Sequence, residues 1–251
     1  MHFFERDRRR YAQFERLRQE PGLVHAFSTR PDDVSAREDE LAAERNERRR
    51  QMARDLGLDG RLVFYCVQEH RTELAVVDEH TQDERLEGCD AVITRRPGVA
   101  LMTFSADCPL VLVYDPRRRA VGLAHASWRC TVADATRRLV EAMRENFGCE
   151  PLDLLAGVGP SAGPDAYEVK NNVYQAAAAL PERERVFRQR DGRLYFDLWE
   201  ANRLQLVRAG VRAENIEVAR ICTMTRTDLF YSYRREGPGC GHFGLLAGVA
   251  G

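Results

Sequence analysis

Between residues 90 and 127, four short apolar runs follow one another with little between them. No other feature constrains the fold of this chain as much. The runs are 90–94, 99–105, 110–114 and 120–125, each five to seven residues long, punctuated by Gly98 and by Asp115-Pro116. Their lengths suit strands rather than helices, and Gly and Asp-Pro are turn signals. Segments this closely spaced form the centre of a sheet. Further strands are expected at 24–29, 62–67, 154–158, 216–222, 230–233 and 243–249. Helical patterns occupy 36–56, 131–147, 170–180 and 197–209. In the second of these Val132, Leu139, Val140 and Met143 share a face, and Gly148 is the stop signal. Strands and helices mix without strict alternation, which favours an α+β domain over a doubly wound one. Residues 2–20, polar and arginine-rich, read as a short helix or a loose arm.

Composition narrows the function by exclusion. The 38 basic and 39 acidic residues leave a net charge of -1, so nothing draws the whole chain toward nucleic acid or a membrane surface. Arginine triplets at 8–10, 48–50 and 117–119 have no aromatic stacking platform, and read as solvated faces. Lys170 is the one lysine, so lysine-nucleophile chemistry has a single candidate and anion binding falls to arginine forks. Seven scattered cysteines without a CxxC pair, no apolar leader at 1–10 and no run near 18 apolar residues lead to the expectation of reduced thiols, a cytoplasmic location and no membrane span.

Three side chains at the ends of these runs carry chemistry. Cys108 lies in Ser105-Ala106-Asp107-Cys108-Pro109, His125 closes the run 120–125, and His70 follows the run 62–67. Cysteine sulfur and histidine nitrogen are zinc ligands, and three protein ligands rather than four leave a position open for chemistry. A dication there lowers the pKa of bound water. Asp107, beside Cys108, is placed to orient a ligand or carry a proton. Spacing alone leaves two other readings open: ordinary core residues, or Cys108 as a nucleophile with a histidine base.

At these residues the sequence resembles the YfiH/laccase-domain family. Ser105-Ala106-Asp107-Cys108-Pro109 and His125-Ala126-Ser127-Trp128-Arg129 resemble its TADC-x-P and HAGWRG blocks. Flanking matches run in order: Phe27-Ser28-Thr29-Arg30, Glu44-Arg45-Asn46-Glu47-Arg48, Val67-Gln68-Glu69-His70, Asp90-Ala91-Val92-Ile93-Thr94, Gly159 to Pro164 with Tyr167-Glu168-Val169, Cys222-Thr223, and Phe230 to Arg235. The resemblance covers the chain from about residue 24 onward. It implies one layered α/β/β/α domain over 1–251, and a metal site of His70, Cys108 and His125 holding zinc, with copper as the alternative. It also implies phosphorolysis of adenosine, inosine and methylthioadenosine, and deamination of adenosine. Catalysis would fall to Cys108, Asp107, His70 and His125. Arg30, Arg48 and Arg129 match arginines of family blocks and are candidates for binding phosphate. The partners implied are a purine nucleoside and phosphate, for a monomer or homodimer. Two rivals stand beside this: a cysteine-type hydrolase or amidase editing peptidoglycan precursors, and a divergent, inactive zinc-binding protein. The phenol-oxidase activity behind the family's older name is weaker, since it needs a histidine-rich copper set and the chain has six histidines.

The chain also departs from the family pattern. Ser127 and Cys130 stand at the two glycines of HAGWRG, and Cys130 is placed to approach the metal. Asp32-Asp33 replace a Gly-Gly near Arg30, where their charge would compete with phosphate. His242 stands where the pattern ends in arginine.

Overall fold

In the computed structural model, which describes residues 1–251, two sheets pack face to face with helices on their outer sides. The first has seven strands, in the order His2–Arg6, Arg9–Gln13, Leu23–Ser28, Phe243–Val249, Ala100–Ser105, Val63–Val67 and Arg85–Glu87. The second has six: Ile216–Val218, Leu155–Val158, Leu110–Asp115, Ala120–His125, Ala91–Thr94 and Leu74–Val77. A small third sheet joins Glu168–Val169, Arg193–Phe196 and Phe187–Arg190.

The period-two alternation of side chains along a strand sets the layers. Leu110, Leu112 and Tyr114 point inward, and pack with Phe27, Phe64, Leu101 and Leu245 of the other sheet. Val111 and Val113, their neighbours, point outward onto Leu139, Val140 and Met143 of the helix Ala135–Phe147 and Leu206 of the helix Leu198–Arg208. On the far side, Ala100, Met102 and Leu246 face Met52 and Ala53 of the helix Ala42–Asp55. The layers are thus helix, sheet, sheet, helix, an α+β arrangement. Both central sheets are buried on both faces, which explains why their strands read as unbroken apolar runs.

The strands around residues 90–127 form where expected; other elements differ. Residues 2–20 are not a loose arm, and the only helix in them is one 3₁₀ turn at Leu17–Gln19: His2–Arg6 and Arg9–Gln13 form a hairpin at the edge of the larger sheet, turning at Asp7 and Arg8, both with positive φ. The expected helix at 131–147 is two helices, Trp128–Val132 and Ala135–Phe147, broken at Asp134 with φ 65°. Residues 230–233 are not a strand. Phe230 is a core anchor, and Ser232 caps the short helix Tyr233–Glu236 by accepting from the Arg235 amide. The helix expected at 36–56 begins only at Ala42, leaving 36–41 as a connecting strap.

Two buried features give measurable predictions. Gly248 lies in the strand Phe243–Val249, where an added Cβ would sit 2.3 Å from the Val99 carbonyl oxygen and 2.8 Å from Leu58. Backbone cannot yield as a flexible side chain can, so Gly248→Ala is expected to destabilise by about 3 kcal/mol, read from urea midpoints. His25 is fully buried; its Nε2 accepts from the Phe14 amide at 3.1 Å and its Nδ1 has no partner. Burial pulls its pKa down from 6.5 to about 3. The unfolded chain takes up this proton below about pH 6.5 and the folded protein does not, so stability falls as the pH drops from 6.5 toward 3. The loss attributable to His25 is about 3 kcal/mol by pH 4.5. In His25→Leu the slope of stability against pH over this range is expected to flatten, even though the Phe14 amide loses its acceptor.

Candidate active site

The chain passes between the two sheets at one end of the sandwich, and the site residues gather there. The turn 106–109 leaves Ala100–Ser105 in the larger sheet and enters Leu110–Asp115 in the smaller one, carrying Asp107 and Cys108. The segment 68–73 likewise leaves Val63–Val67 and enters Leu74–Val77, carrying His70. His125 ends the strand Ala120–His125, whose register pairs it with Leu110. A cavity of about 720 Å³ opens at this end, lined among others by His70, Asp107, Cys108, His125, Trp128, Arg129, Tyr167 and Arg234.

Gln68 fixes the first crossing: its side-chain amide donates to the Phe104 carbonyl (2.8 Å) and accepts from the Phe104 amide (2.7 Å), continuing the sheet by one artificial rung. The second crossing is fixed by Asp107. Its Oδ1 accepts from the Thr223 hydroxyl at 2.6 Å and its Oδ2 from the Arg234 amide at 2.7 Å. Asp107 has φ 110° and His70 φ 61°, conformations that L-residues rarely adopt and that need support from their surroundings.

Asp90 supplies much of that support. It accepts from the backbone amides of Glu69 (2.9 Å), His70 (3.1 Å) and Arg71 (3.0 Å), and from His125 Nδ1 (2.7 Å). Burial alone would raise its carboxyl, but the His125 hydrogen bond and charge, with the backbone donors, outweigh it and hold the pKa below its ordinary value. An ionised Asp90 places the proton on His125 Nδ1 and leaves Nε2 as the ring's free lone pair, the arrangement usual behind a metal-bound histidine. The His70 and His125 ring centroids are 5.1 Å apart. Burial and the neighbouring His125 lower the pKa of His70, which keeps that imidazole neutral and able to donate a lone pair. Burial first, and then the charge of Asp107, push the Cys108 thiol far up. The Arg234 guanidinium offsets this only in part, so a thiolate at this position suits a bound metal ion.

The potential ligand atoms that lie within 4.8 Å of one another belong to Asp90, His125 and Cys130, not to His70, Cys108 and His125. The hydrogen bonds separate the two sets by role. Asp90 is committed to four N–H donors and accepts a longer bond from the Cys130 thiol at 3.8 Å. Cys130 Sγ lies 2.9 Å from Ser127 Oγ and 3.0 Å from the Arg71 carbonyl, and burial pushes its pKa up to about 12. Asp90 holds His125 at Nδ1 and Cys130 is held by Ser127 and Arg71, and neither lines the open cavity, whereas His70, Cys108 and His125 do. The donor set facing the cavity, two nitrogens and one sulfur, is the kind that holds zinc with a vacant position.

Of the arginines expected to bind phosphate, Arg129 lines the cavity. Arg30 stacks on Tyr231 (4.3 Å to the centroid) and pairs with Glu236; Arg48 pairs with Glu44 and donates to the Asp33 carbonyl. Neither Arg30 nor Arg48 lines the cavity, because both guanidiniums are held by local partners. Arg37 and Arg234, which sequence reasoning did not single out, do line it. Asp90 was also missed as a site residue. The strand block that contains it was visible, but backbone amides leave no pattern from which an acceptor role can be read.

The sequence model of the multi-copper polyphenol oxidoreductase laccase family matches residues 26–250. The chain belongs to this YfiH/laccase-domain family. Among family relatives, the purine nucleoside phosphorylase of Bacteroides thetaiotaomicron is 38% identical over 73% of this chain and 71% of its own length. The adenosine deaminase RL5 of an unknown prokaryotic organism is 34% identical over 74% of each chain. The crystal structure of YlmD from Geobacillus stearothermophilus superimposes with a TM-score of 0.88 at 25% identity, covering 99% of both chains. The YfiH-family fold is therefore shared throughout, and the family is one of enzymes. No helix of the chain is long and apolar enough to cross a membrane.

Proposed function

We propose that the protein is a zinc-dependent purine nucleoside phosphorylase acting on adenosine and inosine, with His70, Cys108 and His125 holding the metal. The observation that carries this reading is the meeting, in one cavity, of that donor set with arginines and aromatic rings. Trp128 and Tyr167 offer faces for a purine, and the Arg129 guanidinium brings positive charge to the cavity for an anionic co-substrate. When bound, zinc would supply a Lewis-acid centre and an activated water.

The protein's own groups have separable tasks. Asp90 holds the His125 tautomer. Asp107, raised above its ordinary pKa by burial despite donors from Thr223 and Arg234, is a proton carrier at the cavity wall. Arg234, its guanidinium tied to the Glu168 carbonyl at 2.7 Å and 4.9 Å from the Tyr167 ring, orients that ring. Deamination of adenosine is the second reading. It is favoured by the same Asp107, since replacing an amino group by water requires a proton to be moved to the leaving nitrogen.

Metal analysis of the purified protein, with product detection on adenosine and inosine, tests both readings. Hypoxanthine from inosine only when phosphate is present establishes phosphorolysis, and inosine from adenosine without phosphate establishes deamination. Absence of conversion of any nucleoside by the zinc-loaded protein overturns both.

A further inference from the structure

The two departures at Asp33 and His242, far apart in sequence, meet in space. Asp33 Oδ1 accepts from the His242 amide at 3.0 Å and from the Ser35 amide at 3.1 Å, while the His242 carbonyl accepts from the Val34 amide at 3.1 Å. Asp33 Oδ2 accepts from Arg37 Nη2 at 2.8 Å, and Arg37 Nε donates to Ser35 Oγ at 3.1 Å. The Arg37 carbonyl in turn accepts from Nη2 of the buried Arg45 at 2.8 Å. The strap carrying Arg37 is therefore fastened at both ends. Two of the three guanidinium nitrogens are oriented by the protein and Nη1 has no partner within it. Arg37 and His242 both line the cavity, and the buried Nδ1 of His242 is also without a partner.

We propose that Arg37, positioned by Asp33, forms an oxyanion site at the edge of the cavity together with His242 and receives the phosphate co-substrate there. This rests on the phosphorolytic reading above. The carboxylates at 32–33, expected from the sequence to compete with phosphate, act differently here. Asp33 is taken up by Arg37 and by backbone amides, with Arg45 Nη1 3.7 Å away, and Asp32 lies 3.7 Å from Arg9. Arg45 also pairs with Asp39 and Arg85 with Glu38, so neighbouring arginines meet part of the strap's negative charge. What it offers is a donor fixed in direction, whose ordering cost was met during folding. The net positive charge comes from Arg129 and Arg234 across the cavity lining.

The test is phosphate binding to the zinc-loaded protein by calorimetry, alongside phosphate-dependent cleavage of inosine. Arg37→Gln is expected to weaken phosphate binding and raise the KM for phosphate by about tenfold or more, with a smaller effect on kcat. Arg37→Lys, which keeps the charge but not the fork, should fall between. Asp33→Asn should lose severalfold through disorder of Arg37. The substitution Arg188→Gln, in a separate crevice beside Trp199, serves as a control and should bind as the wild type does. Thermal melts of each variant exclude unfolding as the cause. Wild-type phosphate affinity in Arg37→Gln overturns the proposal, and so does a wild type that does not bind phosphate. Phosphate binding lost in Arg37→Gln, in a protein that does not cleave inosine, supports the anion site and sinks only the phosphorolytic reading.

Discussion

Replacing Asp90 with alanine is expected to cost about 2–4 kcal/mol of folding stability and to abolish stable zinc binding. The carboxylate accepts four hydrogen bonds from N–H groups, three of them from consecutive backbone amides at residues 69–71, and a longer one from the Cys130 thiol. Removing it strands those donors together with the His125 Nδ1 proton, and each stranded donor costs more than the net worth of the bond it made. The loop then no longer holds His70 in its left-handed conformation. Asp90→Asn separates the two effects. The shape is kept, but the amide nitrogen confronts donors, and the His125 ring loses the charge that fixes its tautomer. Zinc affinity is expected to fall by about 10–100-fold, with a smaller loss in melting temperature. Unchanged zinc affinity in Asp90→Asn would refute the role assigned to this carboxylate.

Cys108→Ser is expected to lower zinc affinity by at least about 100-fold and to remove nucleoside turnover with it. In the metal-free protein, burial and Asp107 keep the thiol protonated at neutral pH, which makes it a poor nucleophile. A bound dication reverses that preference and displaces the proton. Zinc affinity should therefore rise with pH across the neutral range, by close to tenfold per unit while one proton is released, and this dependence should vanish in Cys108→Ser. A serine variant that keeps its zinc but loses all activity would instead identify Cys108 as a nucleophile, as the hydrolase reading requires.

The sequence was most legible where burial was complete. The strands within 90–127 are covered on both faces, so their apolar runs were unbroken and their ends fell close to the observed ones. The edge hairpin at 2–13 was illegible for the opposite reason. One side is solvated, arginines interrupt its alternation, and its turn uses Asp7-Arg8 rather than a glycine-containing pair. The hairpin Phe187–Arg190 and Arg193–Phe196 did carry a signal, Asp191-Gly192 between alternating residues, that would have revealed it. Within the site, that His70, Cys108 and His125 share one cavity was legible because each closes or follows an apolar run and few residue types carry such chemistry. Arg30 and Arg48 lie outside the cavity lining, which the sequence could not show, because an arginine in a matched block looks the same whether it faces a cavity or a neighbouring carboxylate. Arg37 was not picked out because its orientation depends on Asp33, which is itself held by the distant His242 amide.

The strand Phe243–Val249 lies between Leu23–Ser28 and Ala100–Ser105, at the heart of the seven-stranded sheet. During synthesis the earlier segments therefore wait, with a central slot unfilled and their amide and carbonyl edges open, until residue 249 has left the ribosome. Catalytic competence should switch on all at once, only after this strand has emerged. A nascent chain stalled before residue 243 would be a client for chaperones rather than a partly working enzyme.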